Sequence, residues 1–145
     1  MAELVRQYYA LEADVVRKTG CDIIGHFDLI TKFCDVCPQI IDTCSQDYTS
    51  ARDHALSALI KTGKIFEVNT GAMARGYRRL PYPDASCLRA IAERGGKVMI
   101  TSDCHKKEQL CYGFETAKEF LVSNGFKCVY LYNNGRFEST SIENI

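Results

Sequence analysis

The sequence lacks tryptophan, and its 145 residues include only three prolines and three histidines. It has no apolar run near the roughly 20 residues of a membrane-spanning helix, and no basic-then-apolar signal peptide at its start. Basic and acidic side chains number 18 each, so the net charge gives no indication that the chain binds nucleic acid or an anionic membrane. These absences predict one cytoplasmic domain over residues 1–145, without nucleic-acid or membrane partners.

Eight cysteines stand out against that background. Because nothing indicates export, we expect reduced thiols that behave mostly as small apolar side chains. Cys34, Cys37 and Cys44 form a tighter group whose alternative interpretation is a structural zinc site. That site needs a fourth ligand, and no histidine or cysteine follows at zinc-finger spacing, so free thiols are favoured.

Apolar periodicity predicts helices and strands that alternate along the chain. The first helix is expected over residues 3–18, with an apolar stripe of Leu4, Tyr8, Leu11 and Val15. Further helices are predicted at 49–62, from Pro83 to the Gly95-Gly96 pair, and at 113–123. Strands are predicted at 22–25, 64–69, 97–102 and 127–132, with an Asn133-Asn134-Gly135 hairpin turn into a last strand at 136–141.

This alternation predicts an α/β fold whose strands are mostly parallel and joined by right-handed crossovers. A segment of a barrel and an open doubly wound sheet both fit the pattern. The sequence contains neither a G-x-G-x-x-G nor a P-loop motif, so a nucleotide-binding version of either architecture has no support.

Three predicted strands each have a pair of polar residues with i, i+2 spacing at or just after their carboxyl ends. The pairs are His26 and Asp28, Glu67 and Asn69, and Asp103 and His105. Residues two apart in an extended strand point to the same face, and active sites of α/β proteins form at the carboxyl ends of strands. Histidine and carboxylate groups converging there predict a metal-centred site.

Taken singly, most of these residues have structural alternatives. A lone His26 is more often a hydrogen-bonded core histidine than a ligand. Glu67 alone could pair with an arginine at 75, 78 or 79, and Asn69 could cap the loop that follows it. The grouping of three pairs favours the metal site over these alternatives.

The loop from Thr70 to Tyr82 carries Arg75, Arg78 and Arg79 next to the proposed ligands. An arginine there suits a phosphate group, because its guanidinium donates a forked pair of hydrogen bonds. For each arginine alone a solvated loop is the better interpretation, but we expect at least one to contact substrate. His54 lies inside a predicted helix and is expected at the surface.

Three motifs together resemble the polymerase-and-histidinol-phosphatase (PHP) superfamily, and its histidinol-phosphatase branch most of all. They are Asp22-Ile-Ile-Gly-His26-Phe-Asp28-Leu, Phe66-Glu67-Val-Asn69-Thr-Gly71 and Ile100-Thr-Ser-Asp103-Cys-His105, and Tyr82-Pro83 after the arginine loop adds to them. The resemblance extends from about Leu4 to the terminal strands.

The resemblance implies a distorted seven-stranded (β/α) barrel with two or three zinc, manganese or iron ions at its C-terminal mouth. The implied reaction is metal-dependent hydrolysis of a phosphomonoester, histidinol phosphate, in histidine biosynthesis. The implied metal ligands are His26, Asp103 and His105. The residues expected to act in catalysis are Asp103, His105 and Glu67, and those expected to bind substrate are Arg75, Asn69 and Asp28.

The family's early motif, a His-x-His followed by another histidine and a bridging glutamate, has no counterpart, because no histidine precedes residue 26. We therefore expect this chain to match the C-terminal half of a protein about twice as long, a partial PHP domain with little or no phosphatase activity alone. Open strand edges predict self-association or a partner segment carrying the N-terminal half. The alternatives are a phosphoesterase for another small phosphomonoester or nucleotide, and a non-catalytic assembly module.

Overall fold

A computed structural model describes residues 1–145 and contains six α-helices and five strands. The helices are α1 (Ala2–Ala13), α2 (Val15–Thr19), α3 (Gln46–Ile60), α4 (Gly71–Ala74), α5 (Ala85–Glu93) and α6 (Phe114–Ser123). The strands are β1 (Ile23–Ile24), β2 (Ile65–Asn69), β3 (Lys97–Thr101), β4 (Cys128–Asn133) and β5 (Arg136–Ser141). Short 3₁₀ turns occupy Leu29–Thr31, Lys107–Gln109 and Ile142–Asn144. No helix is both long and apolar enough to cross a bilayer.

The first three strands form one parallel sheet in the order β1-β2-β3, and β4 pairs with β5 as an antiparallel hairpin. The predicted α/β class, with helices alternating with parallel strands, is therefore confirmed. The sheet does not close into a barrel, so its origin as part of a PHP barrel stays a prediction. Both outer strands of the parallel sheet, β1 and β3, have one hydrogen-bonded neighbour.

Capping residues set the helix ends close to their predicted places. Asp84 caps α5 by accepting a hydrogen bond from the backbone N–H of Cys87, just after Pro83 as expected. Helix α3 begins three residues before its predicted start at 49, because Ser45 caps it in the same way. The predicted hairpin turn is confirmed, with Asn134 and Gly135 both at the positive φ that a tight turn requires.

The predicted apolar face of the first helix is wrong at Leu4 and Leu11. Val5 and Tyr9 are the buried residues of α1, whereas Leu4 is 54% and Leu11 64% exposed. Tyr9 is drawn inward because its ring packs against Phe27 and its hydroxyl bonds a buried carboxylate. Leu4 and Leu11 therefore face outward as an uncovered apolar surface, whereas Tyr8 and Val15 of the expected stripe pack against the core.

The main core lies between the parallel sheet and helices α3 and α5. Its fully buried side chains include Leu56, Leu59, Phe66, Leu88 and Ile91. Every residue of β2 is buried, so the central strand is fixed on both faces. This rigid strand places Glu67 and Asn69.

Candidate functional site

The predicted site residues collect at the carboxyl edge of the parallel sheet. Glu67 and Asn69 belong to β2, while His26 and Asp103 follow the ends of β1 and β3 by two residues each. His26 and Asp103 adopt left-handed backbone conformations, with φ of 56° and 43°. These residue types tolerate that conformation better than most, and it turns the chain sharply at the strand ends.

Asp103 lies between two imidazoles. Its Oδ2 is 3.5 Å from Nε2 of His26, and its Oδ1 is 3.5 Å from Nε2 of His105. The residues approach one another through the turns after the strands, not through strand alternation as expected. We name His26, Glu67, Arg75, Asp103 and His105 the strand-end cluster.

Glu67 holds His26 from the opposite side. Its Oε2 accepts a hydrogen bond from the His26 backbone N–H at 2.7 Å and lies 3.3 Å from His26 Nδ1. Its Oε1 accepts a hydrogen bond from the Thr101 hydroxyl at 2.6 Å, so both oxygens are engaged. The Glu67 carboxylate thus lies next to Nδ1 of His26 and leaves Nε2 facing Asp103. In metal sites, a carboxylate that does not itself bind the metal orients a metal-binding histidine in the same way.

Arg75 reaches the cluster from the position directly after helix α4, a short helix within the segment predicted to be a loop. Its Nη2 donates to Asp103 Oδ2 at 2.8 Å, and its Nη1 donates to the Asp103 backbone oxygen at 3.1 Å. Partial burial opposes ionisation of Asp103, but the Arg75 guanidinium, helped by His26, outweighs it and holds the Asp103 pKa below its usual value. The carboxylate is therefore charged at neutral pH.

A cavity of about 330 Å³ opens over this cluster. Its lining consists of His26, Leu29, Lys32, Arg75, Tyr77, Tyr82, Asp103 and His105. Cationic or protonatable groups outnumber the carboxylate, so the cavity suits an anion of modest size. Lys32 and Tyr82 are lining residues that the spacing argument missed, because neither follows a strand in the i, i+2 pattern.

Asn69 is buried and pairs with Tyr82 in an isolated antiparallel bridge. Its side-chain oxygen accepts a hydrogen bond from the backbone N–H of Gly71 at 2.8 Å, the loop-capping role given above as the alternative. Its Nδ2 has no hydrogen-bond partner. Asn69 therefore keeps one donor available on the same side of the bridge as Tyr82.

Asp28 does not join the cluster, so the expectation that it shares a face with His26 is wrong. The chain leaves the extended conformation at both residues, and Asp28 (φ 70°) turns into the core. There its Oδ1 accepts hydrogen bonds from the hydroxyls of Tyr9 at 2.5 Å and Tyr48 at 2.7 Å. Burial, reinforced by the nearby Asp84, raises the Asp28 pKa to about 6.

A second group of potential ligands surrounds Asp28, because Asp84 and Cys87 offer atoms within 4.8 Å of it and of each other. Its oxygens already have hydrogen bonds, since Asp84 Oδ1 accepts from the Cys87 N–H and from the Ser86 hydroxyl. Burial raises the pKa of the Cys87 thiol well above its usual value, which disfavours the thiolate form that binds metals. The spacing would admit a metal ion, but the hydrogen bonds describe a structural network.

The other residues singled out from the sequence lie away from the cavity. Arg78 donates to the Thr31 hydroxyl, and Arg79 is exposed, so Arg75 alone of the three arginines lines the cavity. His54 is exposed on α3, as predicted. The three cysteines at 34, 37 and 44 are free thiols that do not form a group able to share one ion.

Taken in pairs, groups of the strand-end cluster have the spacing of two ligands on one ion, although His26, Asp103 and His105 do not bring three ligand atoms within 4.8 Å of one another as Asp28, Asp84 and Cys87 do. Two ligand atoms on one tetrahedral ion with bonds near 2.1 Å lie about 3.4 Å apart, and each imidazole of the cluster lies 3.5 Å from Asp103. Imidazole nitrogen with carboxylate oxygen is the combination that zinc, manganese and iron accept. Separate Asp103 oxygens face the two histidines, which allows one ion on each side.

Two proteins of similar sequence were found, while no family model matches the chain. A probable histidinol-phosphatase of Schizosaccharomyces pombe is 25% identical over 133 residues, which are 92% of this chain and 43% of that protein. A probable histidinol-phosphatase of Deinococcus radiodurans is 31% identical over 126 residues, which are 87% of this chain and 45% of that protein. The chain thus spans less than half the length of either relative.

Proposed function

The chain is a partial homologue of the histidinol-phosphatase family, and from this premise we propose that its strand-end cluster is part of the active site of a metal-dependent phosphomonoester hydrolase. Histidinol phosphate is the expected substrate. The observation that carries the proposal is the position of Asp103 between two imidazoles. Its Oδ2 lies 3.5 Å from His26 Nε2, and its Oδ1 lies 3.5 Å from His105 Nε2.

In this proposal His26, Asp103 and His105 hold the divalent ions, whether zinc, manganese or iron. Such ions, when bound, lower the pKa of a water towards neutrality and offset charge on the phosphoryl oxygens. Asp103 is suited to the role because it is ionised at neutral pH. His105 stands at the exposed rim, where a ligand can enter without displacing core residues.

Glu67 was expected to act in catalysis, and we now propose that it is a positioning residue. Both of its oxygens accept hydrogen bonds, from the His26 backbone and from Thr101, and Glu67 does not line the cavity. Its contribution is to fix the direction of the His26 ring. Asn69 has a comparable supporting role, because its side-chain oxygen accepts a hydrogen bond from the Gly71 N–H.

Arg75 and Lys32 supply positive charge on the cavity wall. We propose that the Arg75 guanidinium divides its donors between Asp103 and a phosphoryl oxygen, since its planar fork suits a phosphate as well as a carboxylate. Lys32 lies above the rings of Phe33 and Tyr77 at the cavity edge, which keeps its ammonium group close to an entering anion.

We further propose that the remaining ligands come from outside these residues, in the same polypeptide or in a partner chain. Three protein ligands are few for two or three ions, and a weakly held ion gives little activity. The uncovered apolar surfaces support the same view. Leu4 and Leu11 face outward on α1, and a cleft of about 440 Å³ beside β3 is lined by Met99, Leu131 and Tyr132 among others.

The test is manganese binding and phosphatase activity of wild type and Asp103→Asn, with Asp22→Asn as the control. Asp22 is an exposed carboxylate paired with Lys64, far from the cluster. We expect Asp103→Asn to lose manganese binding by about tenfold or more, and Asp22→Asn to leave it unchanged. Equal manganese binding by wild type and Asp103→Asn would contradict the proposed site.

Substrate preference is tested with a fusion of this chain to the N-terminal half of one of its relatives. The rate of hydrolysis is measured for histidinol phosphate and for a panel of small phosphomonoesters and nucleotides. Preference for histidinol phosphate supports the proposed substrate. Preference for another ester would support the proposal of a phosphomonoester hydrolase but contradict the proposal that it acts in the histidine pathway. No hydrolysis and no bound metal in the joined protein would favour a non-catalytic assembly module.

A further inference from the structure

Tyr82 has a buried hydroxyl group that no protein atom satisfies. The residue is 1% exposed, and its Oη has no hydrogen-bond partner. Buried polar groups are nearly always paired, because an unpaired one loses its bonds to water and gains nothing. An unpaired hydroxyl in a site therefore marks a place where a partner is expected to bind.

The position of Tyr82 directs that expectation to the candidate cavity. Tyr82 lines the cavity together with Arg75 and Asp103, and its ring centre lies 6.0 Å from that of His26. Its hydroxyl makes no hydrogen bond to either nearby carboxylate, Glu67 or Asp103. Those carboxylates take their hydrogen bonds from Thr101 and Arg75 instead, and the Tyr82 hydroxyl is left without a protein partner.

A second unused donor lies beside it. Asn69 pairs with Tyr82 through two backbone hydrogen bonds, Asn69 N–H to Tyr82 O at 2.8 Å and Tyr82 N–H to Asn69 O at 3.2 Å. Directly paired residues place their side chains on the same face. The Nδ2 of Asn69 is unpartnered as well, but Asn69 is fully buried and does not line the cavity, so Tyr82 is the unpartnered donor that does.

We infer that the Tyr82 hydroxyl contacts the substrate by donating a hydrogen bond to a phosphoryl oxygen of the bound phosphate ester. This inference rests on the proposed function and adds a neutral donor to the charged group Arg75. A phosphoryl group has several acceptor oxygens, so it can accept hydrogen bonds from Tyr82 and Arg75 at the same time.

The experiment compares Tyr82→Phe with wild type, and Tyr132→Phe with both as the control. Tyr132 is an exposed tyrosine on the hairpin, outside the cavity. Binding of inorganic phosphate is measured by calorimetry in the presence of manganese. We expect Tyr82→Phe to bind phosphate about tenfold more weakly or worse, the effect of losing a hydrogen bond to a charged group, and Tyr132→Phe to match wild type.

The melting temperature of each protein without phosphate gives a second, independent readout. Because the hydroxyl has no protein partner to lose, Tyr82→Phe should melt at or above the wild-type temperature. A drop of several degrees would show a structural partner and overturn the inference. Phosphate binding by Tyr82→Phe within twofold of wild type would also overturn it, while leaving the proposed function intact. Absence of phosphate binding in wild type itself would reject both the phosphate site and the role of Tyr82.

Discussion

The Arg75 guanidinium donates two hydrogen bonds to Asp103, one to the side-chain Oδ2 at 2.8 Å and one to the backbone oxygen at 3.1 Å. The backbone contact fixes the left-handed turn that follows β3, and the side-chain contact keeps Asp103 ionised. The same Oδ2 faces His26 Nε2. Arg75 and a metal ion would therefore share one carboxylate oxygen, which gives the arginine two opposing effects on the site.

Arg75→Ala separates those two effects. We expect phosphate to bind about tenfold more weakly, because a charged donor is lost from the cavity. Manganese should bind equally well or more tightly, because Asp103 Oδ2 no longer faces a competing cation. Both dissociation constants can be measured by calorimetry, with Arg79→Ala as the control, an exposed arginine on the same segment. A parallel fall in manganese and phosphate affinity would show that Arg75 mainly supports the fold of the turn.

Gly71 is the residue that allows Arg75 and Asp103 to meet. A β-carbon there would lie 2.9 Å from Arg75 Nη2 and 2.9 Å from Asp103 Oδ2, closer than real contacts allow. Both atoms end side chains that can move, and the third contact, Asp103 Cβ at 3.0 Å, requires a shift of a few tenths of an ångström, so Gly71→Ala should fold while displacing the pair. We expect manganese affinity to fall about tenfold, as when an outer support of a metal ligand is removed, with little change in melting temperature.

Gly25→Ala is the matched control for that experiment. Its added β-carbon meets Glu67 Oε2 at 3.6 Å, an ordinary contact, although the position is close to the same cluster. Manganese affinity should stay near the wild-type value. If Gly25→Ala and Gly71→Ala weakened binding equally, crowding in general and not the Arg75–Asp103 pair would be the cause.

Glu67→Gln tests whether the carboxylate positions His26. Glutamine keeps the size of the side chain but removes the charge that orients Nδ1–H, so we expect manganese affinity to fall about 10- to 100-fold. His26 ring resonances should shift in NMR spectra of the metal-free protein, since the ring loses its fixed partner. An unchanged His26 spectrum would contradict the positioning role, whatever the effect on affinity.

The strand-end cluster was predictable from the sequence because parallel strands bring their carboxyl ends to one edge. His26 and Asp103 follow two such strands and Glu67 lies within the strand between them, and the structure brings the three together. The chain geometry within the turns was not predictable. Left-handed residues redirect His26 and Asp103 locally, and the i, i+2 rule holds only while the backbone stays extended.

Tertiary contacts decided the points that the sequence pattern missed. The apolar stripe of α1 suggested that Leu4 and Leu11 face inward, but Tyr9 and its hydrogen bond to Asp28 determined the buried face. Tyr82 became a cavity residue through a single backbone bridge to Asn69, a long-range pairing that no local pattern reveals.

Asp28 makes stability depend on pH in a way that can be measured. Burial raises its folded pKa to about 6, above the ordinary value of 3.8. A group with a raised folded pKa adds stability that is fully present below the unfolded pKa and is lost as pH rises through the folded pKa. The difference of about two pKa units corresponds to about 3 kcal/mol of unfolding free energy, gained by wild type between about pH 7.5 and pH 3.5.

Asp28→Asn should abolish this contribution while keeping an oxygen to accept the Tyr9 and Tyr48 hydrogen bonds. Unfolding in urea at several pH values gives the free energy of unfolding of each protein. Subtracting the value for Asp28→Asn from the wild-type value at each pH removes the effect of the other carboxyl groups. These include Asp103, whose lowered pKa changes stability with pH in the opposite direction. The wild-type advantage over Asp28→Asn should grow as pH falls, whereas the exposed Asp42→Asn control should parallel wild type. Parallel curves for Asp28→Asn would mean that Asp28 titrates normally, which would contradict its burial beneath the two tyrosines.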